Sequence, residues 1–125
     1  MERRRQILDA AGRLLCQRGP GKTTIADIAR AAGVAVGSVY LEFRNKADIL
    51  GALSAARYEQ VLAAMRAAAA AAPPPDRLRA VLRARLEAFL ALGREGVHAP
   101  RLMECYCDAA ASAFSRFQAE QRRLV

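Results

Sequence analysis

The chain contains no tryptophan, one histidine and three cysteines, and each scarcity argues against a class of protein. With one histidine and no nucleophile–base pair, glycine-rich phosphate loop or metal-ligand cluster, the sequence offers little for acid–base chemistry. We therefore predict that the protein is not an enzyme and needs no cofactor or metal. Cys16, Cys105 and Cys107 are an odd set without the spacing of a disulfide scaffold, which is typical of a reducing compartment. For Cys105 and Cys107, a buried structural role and a redox-sensing role both stay open.

Long apolar runs are missing as well. No run reaches the ~18 apolar residues that a membrane-spanning helix needs. Residues 1–5, MERRR, are not followed by the long apolar core of a secretory signal. We therefore expect a cytoplasmic protein with no membrane partner.

Alanine and positive charge are abundant instead. The 125 residues suffice for one domain, or for one small domain and part of a second. The chain is 54% hydrophobic, much of it alanine, and few residues favour long β-strands, so we predict an all-α fold. The net charge of +8 and the pI near 10.4 suit a polyanionic partner, although a basic surface by itself equally serves solubility.

Residues 23–46, TTIADIARAAGVAVGSVYLEFRNK, carry the strongest local pattern. Thr24 can cap a helix through its hydroxyl, with Asp27 at the position of a capping-box acid. Gly33 ends that helix, because glycine adopts the left-handed conformation without steric cost. A second short helix follows from about Ala35 to Leu41. Two short helices joined by a tight glycine-containing turn make a helix-turn-helix, whose second helix enters the major groove of DNA.

From Ile7 to Lys46 the sequence resembles the DNA-binding domain of TetR-type transcriptional regulators. The matching positions fall in the first helix, in the second helix with its turn, and in the recognition helix with the start of the fourth: Ile7-Leu8, Ala10-Ala11, Leu14-Leu15, Gly19, Thr23-Thr24, Ile28-Ala29, Ala32-Gly33-Val34, Gly37, Ser38-Val39-Tyr40, Phe43 and Lys46. Beyond residue 55 the similarity is one of architecture.

The resemblance implies that Tyr40 and Lys46 contact DNA phosphates. Lys46 opens the fourth helix, where its charge and the positive end of the helix act together. Besides capping, Thr24 can bring its neighbouring backbone N–H to a phosphate, and Lys22 and Arg44 add flanking charge. The alternatives are core packing for Tyr40 and simple exposure for Lys46. The arginines at positions 3–5 either contact phosphate or form a solvated, frayed helix end.

The residues expected to face the bases are largely apolar. Related regulators often place Ser at the position of Ala35 and a polar or charged residue at Val36. Gly37 allows close approach to the DNA, Ser38 offers one short polar group, and Glu42 could accept from a cytosine amino group. We predict that Val36 and Ala35 read thymine methyl groups, together with DNA shape. The absent serine cap costs about 1 kcal/mol of helix stability.

Apolar spacing and proline predict the remaining elements. Further helices are expected at Arg3–Arg18, from Asn45 or Lys46 through Ala72, at Asp76–Leu92 and from about Pro100. The apolar stripe of the fifth helix is Leu78, Val81, Leu82, Leu86, Phe89 and Leu90. The architecture predicted is a three-helix helix-turn-helix head (residues 1–47), then a long connecting helix and a partial helical ligand-binding and dimerisation domain (residues 48–125).

Proteins of this family usually continue through several more helices. The resemblance therefore implies either a fragment or an unusually small regulatory half. We predict a homodimer that binds a palindromic operator in double-stranded DNA. The residues expected to line a ligand pocket, which equally suit ordinary core packing, are Leu62, Met65, Phe89, Met103 and Tyr106. Such a lining suits a small apolar effector.

The sequence thus predicts a sequence-specific transcriptional regulator, most simply a repressor released from its operator by a small apolar ligand. Two alternatives stay open. One is a non-specific DNA-binding protein. The other is a helical protein-interaction module without ligand response, whose basis would be the arginines of the fifth helix, Arg77, Arg79, Arg83 and Arg85.

Overall fold

The computed structural model describes residues 2–96, 98 and 108–124, with side chains in the last helix from residue 114 onward. Over these ranges the chain forms α1 (Glu2–Arg18), α2 (Ile25–Ala32), α3 (Val36–Glu42), α4 (Lys46–Ala71), α5 (Arg77–Gly93) and α6 (Asp108–Leu124), with 3-10 turns at Pro20–Lys22 and Pro74–Asp76. No strand occurs in this part of the chain, so the predicted all-α fold is confirmed. None of the helices in these ranges has the length and hydropathy needed to cross a bilayer.

The helices of this part of the chain begin and end close to the positions predicted from the sequence. α4 ends at Ala71 because Ala72 precedes a proline and adopts extended backbone, with φ −93° and ψ 142°. α3 begins one residue later than predicted, since Ala35 serves as its extended N-cap residue. The predicted start of the sixth helix near Pro100 lies outside the described residues.

A first hydrophobic cluster joins α1, α2, α3 and the start of α4. Its fully buried members include Ile7, Leu15, Ile28, Val39 and Ile49. The apolar residues of α1 divide into two groups: Ile7 and Leu15 are fully buried, while Leu8 and Leu14 are partly buried and pack at the edge of the cluster. The cluster fixes α3 on the other three helices by one side only.

A second hydrophobic cluster lies around the rest of α4, which packs against both α5 and α6. Met65 and Val81 are fully buried there. The ring of Phe117 lies 5.0 Å from that of Tyr58 and 5.9 Å from that of Phe89, between centroids. At about 1.5 Å per residue, the 26 residues of α4 span roughly 40 Å and reach both clusters.

The apolar stripe predicted for α5 is only partly covered. Val81 is buried and Phe89 packs against the second cluster. Four leucines of the same stripe are between 50% and 59% exposed: Leu78, Leu82, Leu86 and Leu90. The apolar pattern of a helix shows how wide its apolar face is, but it does not show which part of that face another helix covers. The described neighbours of α5 cover the sector that contains Val81.

Candidate nucleic-acid interface

The entry to α2 is a reciprocal capping box, as predicted. The Thr24 hydroxyl accepts from the Asp27 N–H at 3.1 Å, and the Asp27 carboxylate accepts from the Thr24 N–H at 3.0 Å. The pKa of the Asp27 carboxyl lies below its usual range, chiefly because of the hydrogen bond from the Thr24 backbone N–H and then that with the Thr24 hydroxyl. The charges of Arg18 and Arg30 lower it by smaller amounts. The N–H of Thr24 itself is therefore engaged by Asp27, and the contact of the neighbouring backbone N–H with phosphate stays a prediction.

The turn between α2 and α3 depends on Gly33. Its φ of 73° lies in the left-handed region, which favours glycine. The Val34 N–H donates to the Ala29 carbonyl at 3.0 Å and closes the end of α2. Val34 is partly buried and packs against the first cluster. The turn thus sets the direction in which α3 leaves α2.

Val39 anchors α3, since its side chain is fully buried in the first cluster. Ala35, Val36, Gly37 and Tyr40 are exposed. Val36 and Tyr40 are four residues apart and therefore share one face of the helix. A Cβ built at Gly37 would meet no atom within 4 Å, so the backbone is open to a close partner. Core packing is excluded for Tyr40, whose side chain is 52% exposed.

Two residues of α3 differ from their expected status. Ser38 is half-buried, which limits its reach. Leu41, absent from the predicted interface, is 76% exposed. The signal that could have indicated Leu41 is the burial of Val39, because a seven-residue helix with one core position turns the residue two places on away from the core.

Lys46 lies at the start of α4, and the structure gives its ammonium a local role. Its Nζ donates to the Pro20 carbonyl at 2.6 Å and to the Thr23 carbonyl at 3.1 Å. Lysine has three N–H donors, so two of them hold the 3-10 turn against α4. The predicted phosphate contact would have to use the third. Sequence spacing gave no indication of this tie.

Positive charge borders the motif at several further points. Lys22 is exposed on the 3-10 turn. Arg44 is exposed, and both its backbone N–H and its Nε donate to the Asp48 carboxylate, at 3.2 and 3.3 Å. Arg4 stacks its guanidinium 4.6 Å from the centroid of the Phe43 ring, which holds this charge beside the end of α3. Glu42 is half-buried at the last position of α3.

The residues predicted to line a ligand pocket belong to the second cluster where they are described. Leu62 and Met65 are buried, and Phe89 is partly buried against them. Leu62 also lines an open cleft of about 460 Å³ between α4 and α6. Met103 and Tyr106 lie outside the described residues, as do Cys105 and Cys107.

A larger cleft, of about 840 Å³, opens between α1 and α4 and was not predicted. On its wall, Arg57 of α4 donates through Nη2 to the Glu95 carboxylate and, at 3.4 Å, to the Cys16 sulfur. Burial raises the pKa of the Cys16 thiol, against the opposing effect of Arg57. The three residues are far apart in the chain, so no local pattern could join them.

Comparison with known proteins relates both the motif and the fold to one family. Residues 7–53 match the family described as bacterial regulatory proteins, tetR family. The HTH-type transcriptional regulator TtgR of Pseudomonas putida is 47% identical over 58 residues, which are 46% of this chain and 28% of that protein. The HTH-type transcriptional repressor KstR2 of Rhodococcus jostii is 30% identical over 123 residues, which are 98% of this chain and 52% of that protein.

The fold as a whole is shared with solved structures. A TetR family transcription regulator from Marinobacter aquaeolei superposes with a TM-score of 0.74 at 23% identity, covering 98% of this chain and 64% of that one. The chain spans at most about half the length of the two curated relatives, as the matched shares of 28% and 52% give. Residues 7–53, which contain the helix-turn-helix, therefore belong to the DNA-binding domain of the TetR family of bacterial regulatory proteins.

Proposed function

We propose that the protein is a sequence-specific DNA-binding transcriptional repressor in which α3 reads the major groove. The observation that carries the proposal is the one-sided exposure of α3. Val39 is sealed in the core, while Val36, Gly37 and Tyr40 are open to solvent. A helix braced by its neighbours and free along one edge fits a major groove about 12 Å wide.

Base reading would fall to the start of α3. The first residues of a recognition helix contact base edges, and here they are Ala35, Val36 and Gly37. The methyl groups of Ala35 and Val36 suit contact with the thymine methyl, and exposed Leu41 adds apolar surface. Ser38 and Glu42 are half-buried, which favours apolar contact and DNA shape over a dense set of polar contacts.

Affinity would come from phosphate contacts around that edge. Exposed Tyr40 can donate its hydroxyl, and exposed Lys22 and Arg44 supply charge. The pair between Arg44 and Asp48 is exposed, so it contributes little and leaves Arg44 free to turn towards a phosphate. Each phosphate that these groups neutralise makes the DNA affinity fall more steeply as the salt concentration rises.

The site is expected to be a palindrome bound by two copies. The seven residues of α3 span roughly 10 Å and can read only a few base pairs. Helix-turn-helix proteins solve this by two-fold pairing on half-sites about one helical turn apart. We therefore keep the homodimer as part of the proposal.

Release by a small apolar ligand is the regulatory part of the proposal. α4 contributes Lys46 to the motif and Leu62 and Met65 to the second cluster. A ligand that shifts α4 would therefore act on both ends, which is a coupling free energy between two sites. Leu62, Met65 and Phe89 support an apolar effector near the second cluster.

The test is selection of bound sequences from a random duplex pool, followed by titration of the selected and a scrambled duplex at stated salt. Val36→Ser should change the preferred bases and cost roughly tenfold or more on the selected site. Leu78→Ser, which likewise replaces an exposed apolar side chain but on α5, is the control and should change neither the preferred bases nor the affinity. Tyr40→Phe should weaken all duplexes alike, since a phosphate contact carries no base information.

The outcomes separate the competing functions. Equal affinity for selected and scrambled duplexes would make the protein a non-specific DNA binder. Unchanged selection by Val36→Ser would refute base reading by α3. A protein that binds no duplex at low salt would favour the interaction module, for which the exposed leucines of α5 are the supporting observation.

A further inference from the structure

The cleft between α1 and α4, here the α1–α4 cleft, combines an apolar floor with a basic rim. Leu8 and Leu53 lie on its floor. Arginines outnumber acids around it: Arg4, Arg5, Arg13 and Arg57 against Asp9 and Glu95. Its volume of about 840 Å³ falls in the range of small-molecule sites, roughly 300–1,000 Å³. This combination suits a molecule with an apolar body and an anionic head.

Arg57 is the polar centre of the α1–α4 cleft. Its side chain is only 11% exposed. The Glu95 carboxylate engages Nη2, yet the Nε of Arg57 is buried and has no hydrogen-bond partner among the described residues. A buried guanidinium with an unused N–H retains a donor for a second oxygen. Because guanidinium groups bind carboxylates through two parallel N–H groups, the existing pair with Glu95 is an incomplete one.

Glu95 belongs to a short segment that rests on the end of α1. Three residues on, the His98 N–H donates to the Cys16 carbonyl at 3.0 Å. Between them, Gly96 lies so close that an added Cβ would stand 2.5 Å from the same carbonyl oxygen. The Arg57–Glu95 pair therefore helps to hold Glu95, Gly96 and His98 against the first helix of the helix-turn-helix head.

We propose that the α1–α4 cleft binds a small amphipathic carboxylate. The carboxylate takes the place of Glu95 on Arg57 and uses the free Nε, while the apolar body covers Leu8 and Leu53. No covalent bond changes, because one carboxylate replaces another on the same guanidinium. Loss of the ion pair between Arg57 and Glu95 loosens Glu95, Gly96 and His98 from α1. Its effect on DNA binding rests on the function proposed above, whereas the binding itself does not.

The binding test uses octanoate as the probe and calorimetry as the measurement, without DNA. Octan-1-ol and octyltrimethylammonium have the same chain length without the negative charge. Each should bind at least about tenfold more weakly than octanoate. Equal binding of octan-1-ol would overturn the proposal, and so would the absence of octanoate binding to the intact chain.

Two substitutions give opposite expectations. Arg57→Gln should weaken octanoate at least about tenfold, because a charge-assisted pair is lost. Glu95→Gln should tighten it several-fold, because the internal competitor for Arg57 is gone. Arg83→Gln and Glu87→Gln, exposed changes on α5, should leave binding unchanged. If the Arg57→Gln variant loses its helical circular dichroism, octanoate binding to Glu95→Gln still tests the proposal. Unchanged or weaker octanoate binding to Glu95→Gln would overturn it.

A second arm measures DNA affinity with and without octanoate. Octanoate binding by a chain that binds no duplex would refute the proposed function and leave the cleft assignment standing. Octanoate binding that leaves the affinity for a bound duplex unchanged would show that loosening Glu95, Gly96 and His98 from α1 does not control DNA binding, and would overturn that part of the proposal.

Discussion

Lys46→Met tests whether Lys46 primarily stabilises the fold or contacts DNA. The substitution keeps a long apolar side chain and removes the ammonium that donates to the carbonyls of Pro20 and Thr23. Thr23 is buried, so its carbonyl would lose this donor in a place that water reaches poorly. The 3-10 turn would then lose its tie to the first turn of α4.

The magnitude follows from the two hydrogen bonds. A hydrogen bond to a charged group contributes about 1.5–3 kcal/mol when well shielded. Lys46 is half-exposed, and water competes for its ammonium, so we expect a total loss of about 2 kcal/mol rather than the full sum. For a chain of this size, that corresponds to a fall in Tm of roughly 8 °C.

The assay is urea and thermal unfolding followed by helical circular dichroism. Lys22→Met is the matched control, because Lys22 is exposed on the same turn, and we expect its free energy of unfolding to stay within about 0.5 kcal/mol of the original. A Lys46→Met protein as stable as the control would refute the reasoning. If stability were unchanged and only DNA affinity and its salt dependence fell, Lys46 would be chiefly a phosphate contact.

Three further predictions concern the caps and the tight contact near α1. Ala35→Ser should stabilise the protein by about 1 kcal/mol in urea unfolding, because Ala35 has the extended backbone of an N-cap and no side-chain acceptor. The lowered pKa of Asp27 stabilises the fold above the usual carboxyl range, and this contribution is lost as the pH falls through the folded-state value. Asp27→Asn should therefore flatten the acid limb of a stability–pH profile, and an unchanged limb would contradict the capping role. Gly96→Ala should destabilise by about 1–3 kcal/mol through its clash with α1. Gly21→Ala, where an added Cβ meets nothing within 4 Å, should have no such clash, and equal losses in the two variants would count against it.

The features that could be predicted from the sequence are those set by neighbouring residues. The box of Thr24 and Asp27 and the turn at Gly33 each depend on a few consecutive positions, and both are confirmed. The same holds for the proline-terminated end of α4. The exposure of Tyr40 follows from the burial of Val39 one position earlier.

The features that escaped prediction join distant parts of the chain. Lys46 reaches a carbonyl 26 residues earlier, and Arg57 reaches a carboxylate 38 residues later. Neither partner belongs to a repeat or a spacing rule, because backbone carbonyls and exposed acids occur everywhere. The uncovered leucines of α5 escaped for a related reason, since an apolar stripe does not specify its neighbour.

Because α4 is one continuous helix, its length sets the rotation of the two hydrophobic clusters relative to each other. The helix runs unbroken from Lys46 to Ala71 and belongs to both hydrophobic clusters. One residue inserted midway would rotate one cluster against the other by about 100° and lengthen the shaft by about 1.5 Å. Insertions in the middle of α4 would change the orientation of α3 relative to the second cluster while leaving each cluster intact. An insertion beside Pro73–Pro75, after the end of α4, would leave the orientation of α3 unchanged.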